Sequence, residues 1–273
     1  MPSETPSVNA RQQALVVLAL CDPSDKCTAT HALWHALPQA HIDPHESVTE
    51  PAGALPGRPD APPLLPPDQV PQRSPFTDSG LAALIHAIAH IEFNAINLAL
   101  DAVWRFAGMP EAFYRDWLRV AHEEAQHFAL LRDLLRTLGH GYGDCAAHDG
   151  LWTMCVKTQH DVVARMALVP RTLEARGLDA TPLIQAKLRK VGSPGALRAV
   201  DILDIILRDE IGHVAIGNRW YGWLCQQRGL DPLAHYRVLA RTHSAPRLRP
   251  PFNDEARRAA GFSQAEMDYL LGT

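Results

Sequence analysis

The stretch AHEEAQHF, residues 121–128, sets Glu123, Glu124 and His127, with His122 beside them, inside a run that otherwise reads as an apolar helix. On a helix, residues three apart lie about 60° apart in projection and one turn along. Glu124 and His127 therefore point the same way and can hold one ion between them. The stretch DEIGH, residues 209–213, repeats the spacing with Glu210 and His213. With eleven Glu and fourteen His in 273 positions, chance supplies about 0.6 such pairs, so one pair alone means little.

The larger pattern decides the fold. Glu92 precedes Glu124 by 32 residues, and Glu174 precedes Glu210 by 36. Glu92 and Glu124 each lie 16 residues from Gly108, and Glu174 and Glu210 each lie 18 from Gly192. Each half of the chain is thus a Glu, a helix reversal, and a Glu-x-x-His that returns to the same level. A four-helix bundle builds a di-iron or di-manganese carboxylate site in this way, with one Glu from each of two helices and Glu-x-x-His from each of the other two. The expected ligands are Glu92, Glu124, His127, Glu174, Glu210 and His213. A carboxylate precedes each Glu-x-x-His, Glu123 and Asp209. Each is rotated about 100° from the ligand beside it, where it can accept the free ring N–H of a neighbouring helix's histidine and so orient the imidazole.

Competing explanations are weaker. The two histidines of HEEAQH stand five apart, which is not the zinc-protease HExxH. A surface-charge account meets apolar neighbours at i±3 and i±4, Val120 and Leu131 around the first pair, Ile206 and Val214 around the second. Buried carboxylates without compensation cost several kcal/mol, and bound metal offsets that cost. Four carboxylates and two imidazoles suit hard or borderline M²⁺ ions, iron first and manganese second. No thiolate joins the set, which disfavours an iron–sulfur cluster or a structural zinc.

Around this pattern the chain divides into three parts. Residues 1–75 begin with short helices, RQQALVVLAL and KCTATHALWHAL. Residues 38–75 then carry eleven of the 22 prolines, an extended segment expected to lie as a strap on the bundle and bury Leu55, Leu64, Leu65 and Val70. Residues 76–230 hold four long helices, the first stopping at Gly108 and the second at Gly139. The third is expected over 151–177, kinked at Pro170, broken at GLDATP and resumed over 183–192. The fourth starts at Pro194. Residues 231–273 form a C-terminal extension, a short helix and a polar tail. No segment alternates with period two, so the fold class is all-α.

Bulk properties narrow the function. Net charge is −4 and pI about 6.4, which argues against non-specific nucleic-acid binding. No run of eighteen apolar residues marks a membrane span, and the short apolar run Ala14–Cys21 lacks the flanks of a secretory signal. Five cysteines without a CxxC suggest reduced thiols in the cytoplasm. Asp161 and Arg165 stand four apart and predict a helix salt bridge beside His160. His86 and His90 point away from the expected ligands, and His148 and Trp152 flank a loop that could line a mouth. Arg237, Arg241, Arg247, Arg249, Arg257 and Arg258 give the extension a basic face, either solvated or turned to an acidic substrate.

The chain closely resembles the bacterial ferritin-like family catalogued as domain of unknown function 455. The resemblance rests on CDPSDK at 21–26, PGRPDAPPLLPP, HAIAHIEFNAINLALD, WLRVAHEEAQHFALLRDLL, YGDCAAHDGLW, ARMALVPRTLEARGLDATP, LRDEIGHVAIGNRWY and PFNDEARRAAGFS, nearly the whole chain. It implies a ferritin-like bundle with a dinuclear centre and supplies no substrate. The leading functional expectation is an O₂-dependent dimetal oxidoreductase, a hydroxylase or oxidase acting on an unidentified small or acidic substrate with an electron donor. An iron-handling ferroxidase and a domain braced by structural metals are the alternatives.

Overall fold

A computed structural model describes residues 9–272. Among the described residues there is no strand, only the isolated bridges Asn9–His41 and Leu64–Ala147. The fold is all-helical, as the absence of period-two patterning requires. The chain forms two compact units. One takes the chain up to Arg73 with Ala82–His148, and the other takes Ser74–Leu81 with the chain from Asp149 onward.

In the first unit, α1 (Ala10–Leu18) and α2 (Pro23–Ala36) precede the long helices α3 (Asp78–Arg105) and α4 (Glu111–Thr137). Asp22 starts α2 by accepting from the Ser24 and Asp25 amides, with Pro23 at the first helical position. The α3–α4 reversal is fixed by Tyr114, whose hydroxyl donates to Phe106 O at 2.8 Å and accepts from Met109 N at 3.1 Å. Gly108 supplies the positive φ, 75°, that the turn needs. α3 has the length and composition to cross a membrane, but 78% of its most apolar window is buried, as in a core helix.

Two buried cations tie the N-terminal segments down. Arg11 donates to Val103 O and Trp104 O near the end of α3, and to Asp43 O, Pro44 O and Glu46 O of the strap. Helix-end carbonyls lack intrahelical donors, so a guanidinium is a natural cap for them. Lys26 donates to Leu18 O at 3.1 Å, Gly57 O at 2.8 Å and Asn97 Oδ1 at 2.5 Å, three acceptors for the three N–H of an ammonium.

The strap is therefore held by its backbone. Gly57 N donates to Leu18 O, and any Cβ there would collide with the Ala19 carbonyl. Leu65 N and Ala147 N complete the bridge near Leu64. The expectation of buried leucines is corrected: Leu64 is 39% exposed, and Leu55 and Leu65 are half-buried. Pro56, Gly57, Pro62 and Pro75 are the buried residues, three of them prolines, which carry apolar surface while needing no donor partner.

The second unit contains α5 (Gly150–Lys157), α6 (Val162–Leu168), α7 (Ala175–Val191), α8 (Pro194–Gln227), α9 (Pro232–Thr242), α10 (Asp254–Ala259) and α11 (Gln264–Leu271). The expected third helix departs from prediction in two places. It breaks at 158–161, where Asp161 caps α6 through the Val163 amide. Arg165 turns back to Thr158 Oγ1 and Cys155 O, capping the end of α5. The Asp161–Arg165 bridge is thus replaced by two separate capping roles.

Pro170 produces not a simple kink but a π-helical turn, Val169–Glu174. The helix then runs unbroken through GLDATP, with Pro182 inside it. A proline interior to a helix strands the carbonyl four residues back. Here that carbonyl, Leu178 O, accepts from Asn253 Nδ2 at 3.1 Å. The partner comes from a distant segment, so local sequence could not reveal it.

The C-terminal residues likewise form three helices where a short helix and polar tail were expected. Arg257 is fully buried, bonding Asp179 at 2.6 Å and Ala175 O, so it does not belong to a basic surface. Arg237, Arg241, Arg247, Arg249 and Arg258 are exposed. Arg171 of the π turn pairs with Glu266 of α11 and faces the Tyr221, Tyr236 and Phe262 rings. The α7–α8 reversal is two residues long. Gly192 ends α7 in the left-handed region, and Ser193 caps α8 with Pro194 behind it.

Three substitutions test these contacts. Burial lowers the Lys26 pKa from 10.5 to about 7. Between those values the unfolded chain keeps a proton that the folded chain has released, so stability rises with pH through that window. The stability gap between wild type and Lys26→Met, measured by denaturant unfolding, should move toward the wild type by about 2–3 kcal/mol from pH 7 to about 9.5. A pH-independent gap would show that Lys26 keeps its proton throughout.

Gly217 of α8 faces Pro170, and a Cβ there would come within 2.6 Å of the ring. Gly217→Ala should therefore destabilise by about 1–3 kcal/mol. Gly222→Ala, with nothing within 4 Å of the added carbon, should stabilise by about 0.5–1 kcal/mol. Thermal melts of the two variants should shift in opposite directions.

Candidate metal centre

Glu92 sits midway along α3, and Glu124 and His127 sit midway along α4. All three are buried, with Glu124 and His127 at 0% exposure. His127 Nδ1 lies 3.3 Å from Glu92 Oε2 and 3.3 Å from Glu124 Oε2. One ligand atom from each of the three residues falls within 4.8 Å of the others, close enough for a single metal ion to reach them all. The apolar face of α4 explains the placement. Val120, Ala121, Phe128 and Leu131 are wholly buried around the pair, so the 3.6 period that buries them carries Glu124 and His127 inward as well.

Burial first, then the neighbouring Glu124 carboxylate, pushes the Glu92 pKa well above 4.5. Two buried carboxylates packed against one imidazole repel each other, and burial disfavours the charge of both. A divalent cation is the complementary charge, and oxygen and imidazole nitrogen are suitable donors for it. The group therefore fits a metal ion.

Aromatic rings close the surroundings. Phe93 and Phe128 follow Glu92 and His127 in sequence, and their centroids lie 5.3 Å apart. Tyr142, from the loop after α4, packs on both, at 5.6 and 5.0 Å. Its hydroxyl is 2.9 Å from His90 Nδ1, while Asn94 Nδ2 is 2.9 Å from His90 Nε2. The two contacts hold the His90 ring between Asn94 and Tyr142, with the direction of each set by the ring tautomer. Burial lowers the His90 pKa to about 4, which keeps the ring neutral. His86 accepts from Gly143 N at 2.9 Å. Sequence reasoning left both histidines out of the ligand set and did not find their partner, Tyr142. The YGDC motif carries it but gives no periodic signal.

In the second unit, Glu174 ends the π turn, and Glu210 and His213 lie on α8. All three are buried, and His213 Nδ1 is 3.8 Å from Glu210 Oε1. Placement of Glu174 in a π turn accords with the use of such turns at functional sites. Glu123 and Asp209 are half-buried and hold arginines, Arg119 at 2.9 Å and Arg208 at 2.9 Å. His148 is exposed and Trp152 is buried in its own unit.

A buried Glu/His group able to hold a metal ion, on an all-helical scaffold, is the class of site the geometry defines. The chain belongs to the family described as "Protein of unknown function (DUF455)", which matches residues 19–268. It is 48% identical over 269 residues to an "Uncharacterized protein" of Haemophilus influenzae, covering 95% of this chain and 92% of that one. No solved structure matches it.

The raised Glu92 pKa gives a test that needs no activity. A glutamate whose folded pKa is raised above its unfolded value destabilises the folded state at neutral pH, and the deficit disappears as pH falls below the unfolded pKa. In chelator-treated protein at pH 7, Glu92→Gln should therefore raise stability. With Fe²⁺ or Mn²⁺ present the order should reverse, because the wild type alone gains the full binding energy. Melting curves of both proteins with and without metal decide it, and a less stable chelated variant would count against the raised pKa.

Proposed function

We propose that this protein is a dimetal-carboxylate oxidoreductase, a hydroxylase or oxidase that uses O₂. The reading makes residues 76–230 a ferritin-like four-helix bundle, with 1–75 and 231–273 packed on it. Glu92, Glu124, His127, Glu174, Glu210 and His213 then converge on two metal ions, iron first and manganese second. The observation that carries it is the buried Glu92–Glu124–His127 group, matched in kind by buried Glu174, Glu210 and His213 at equal distances from their own helix reversal.

When bound, two ferrous ions at such a site would supply the electrons for O₂ reduction. The chain's own residues do the rest. The carboxylates balance the ionic charge, and Glu92 and Glu124 flank the His127 ring. Glu123 and Asp209 are assigned to accept ring N–H groups of the histidines on neighbouring helices. Phe93, Phe128 and Tyr142 exclude water, and the His90 ring holds the Tyr142 hydroxyl at 2.9 Å. The substrate is an unidentified small or acidic molecule, and an electron donor restores the ferrous state. Five free cysteines suit a reducing compartment such as the cytoplasm.

Anaerobically purified protein loaded with Fe²⁺ should bind two irons per chain and consume O₂. Glu124→Ala and Glu210→Ala should each abolish consumption while leaving helical content intact. Even changes beyond the ligands typically lower metal affinity about 10–100-fold, whereas apolar burial along the helices does not depend on one carboxylate. Inertness toward O₂ with two irons bound would leave a bracing role. Uptake that stops once the iron is oxidised and accumulates as ferric mineral would point to iron handling. Loss of metal in Glu124→Ala but not in Glu210→Ala would break the convergence.

A further inference from the structure

A second nitrogen-rich cluster stands apart from these carboxylates. His31 and His35 are four apart on α2 and share a face, as do His122 and Gln126 on α4. His122 precedes Glu124 by two positions, about 200° around the helix, so it faces away from the buried Glu/His group. The His31 and His122 Nδ1 atoms lie 2.8 Å apart. The His35 ring sits edge-on to His122 with centroids 5.5 Å apart, and His35 is exposed and able to turn. Trp34 stacks on the His122 ring at 5.5 Å and 23°, fixing its plane.

We propose that His31, His35 and His122 bind a borderline divalent transition ion of the Cu²⁺, Ni²⁺ or Zn²⁺ class, bridging α2 and α4. Two imidazole nitrogens on one such ion, at about 2.0–2.1 Å each, stand about 2.9–3.4 Å apart for bond angles between square and tetrahedral. The observed separation is within a few tenths of an ångström of that range. The other nitrogen of His122 is already provided for. Gln126 Nε2 lies 2.9 Å from His122 Nε2, and a half-turn of that amide presents its oxygen instead. Nε2 can then carry the ring proton while Nδ1 offers its lone pair, the outer support that ligating histidines usually have. Burial, then the neighbouring His35, lowers the His31 pKa, which leaves its imidazole neutral and available. Three imidazole donors disfavour Mg²⁺, Ca²⁺ and Mn²⁺, which prefer oxygen, and separate this ligand class from that of the Glu/His group.

The test uses full-length, chelator-treated protein carrying Glu92→Gln and Glu124→Gln, so that copper bound at the carboxylates does not contribute. Titration with Cu²⁺, followed by calorimetry and electron paramagnetic resonance, should show one equivalent per chain with hyperfine coupling from two or three imidazole nitrogens. His35→Ala should weaken binding at least tenfold, and His31→Ala should remove it. His35 is exposed, so its variant keeps the fold whatever His31→Ala does, and circular dichroism checks both. A Cu²⁺ signal that keeps its affinity and nitrogen coupling in His35→Ala overturns the three-histidine site. So does the absence of any tight equivalent in the parent, which would leave a hydrogen-bonded histidine pair.

Discussion

Like charge held in a dry interior is the constraint on which the rest depends. Glu92 and Glu124 meet at one imidazole where α3 and α4 run side by side. An isolated protein gains nothing from that arrangement. Burial and mutual repulsion both work against it, and the raised Glu92 pKa is the direct expression of that conflict. Such groups persist where an ion completes them, and the surrounding helices must then be rigid enough to hold them together without it. The Tyr114 clamp at the reversal, the Arg11 cap on α3 and the Lys26 cage answer that need in the first unit.

In the second unit the strain is in the backbone. Pro170 and Pro182 both interrupt the hydrogen-bond ladder of one helical run, on either side of Glu174. The first interruption becomes a wider turn, with the Thr172 hydroxyl donating to Ala167 O at 2.8 Å and Gly217 giving the proline ring room. The second is repaired from outside by Asn253. Arg257, one turn beyond Asn253, holds Asp179, the residue after Leu178. The C-terminal helices thus function as the missing half of an irregular helix.

How much of this was legible follows the range of each interaction. The paired Glu residues, the Glu-x-x-His spacing and the helix stops at Gly108 and Gly192 are short-range periodic signals, and the helices and buried residues appear where they place them. The break at Asp161 was also local, since an aspartate before an apolar run can cap a helix. It was masked by the equally plausible pairing with Arg165. Nothing local could show that Pro182 would be tolerated, because the donor to the stranded Leu178 carbonyl lies 75 positions beyond that residue. The burial of Arg257 and the meeting of His31 with His122 are hidden for the same reason. The strap was foreseen with the wrong anchor. Leucine burial was expected, and the backbone of Gly57 and the Lys26 ammonium hold it instead.

The sequence separation of the clamps also bears on how the chain comes off the ribosome. Arg11 is synthesised 92 residues before Val103, whose carbonyl it caps. At about 5–20 residues per second, that is roughly 5–20 seconds of elongation during which the Arg11 guanidinium lacks the α3 carbonyls it caps. Leu178 waits similarly for Asn253. Each unit is therefore completed by contacts that span more than half of its length, and neither clamp can form before the later segment emerges. A chain cut short before residue 253 would present Pro182 with an open ladder, and quality control would meet it as an unfinished helix.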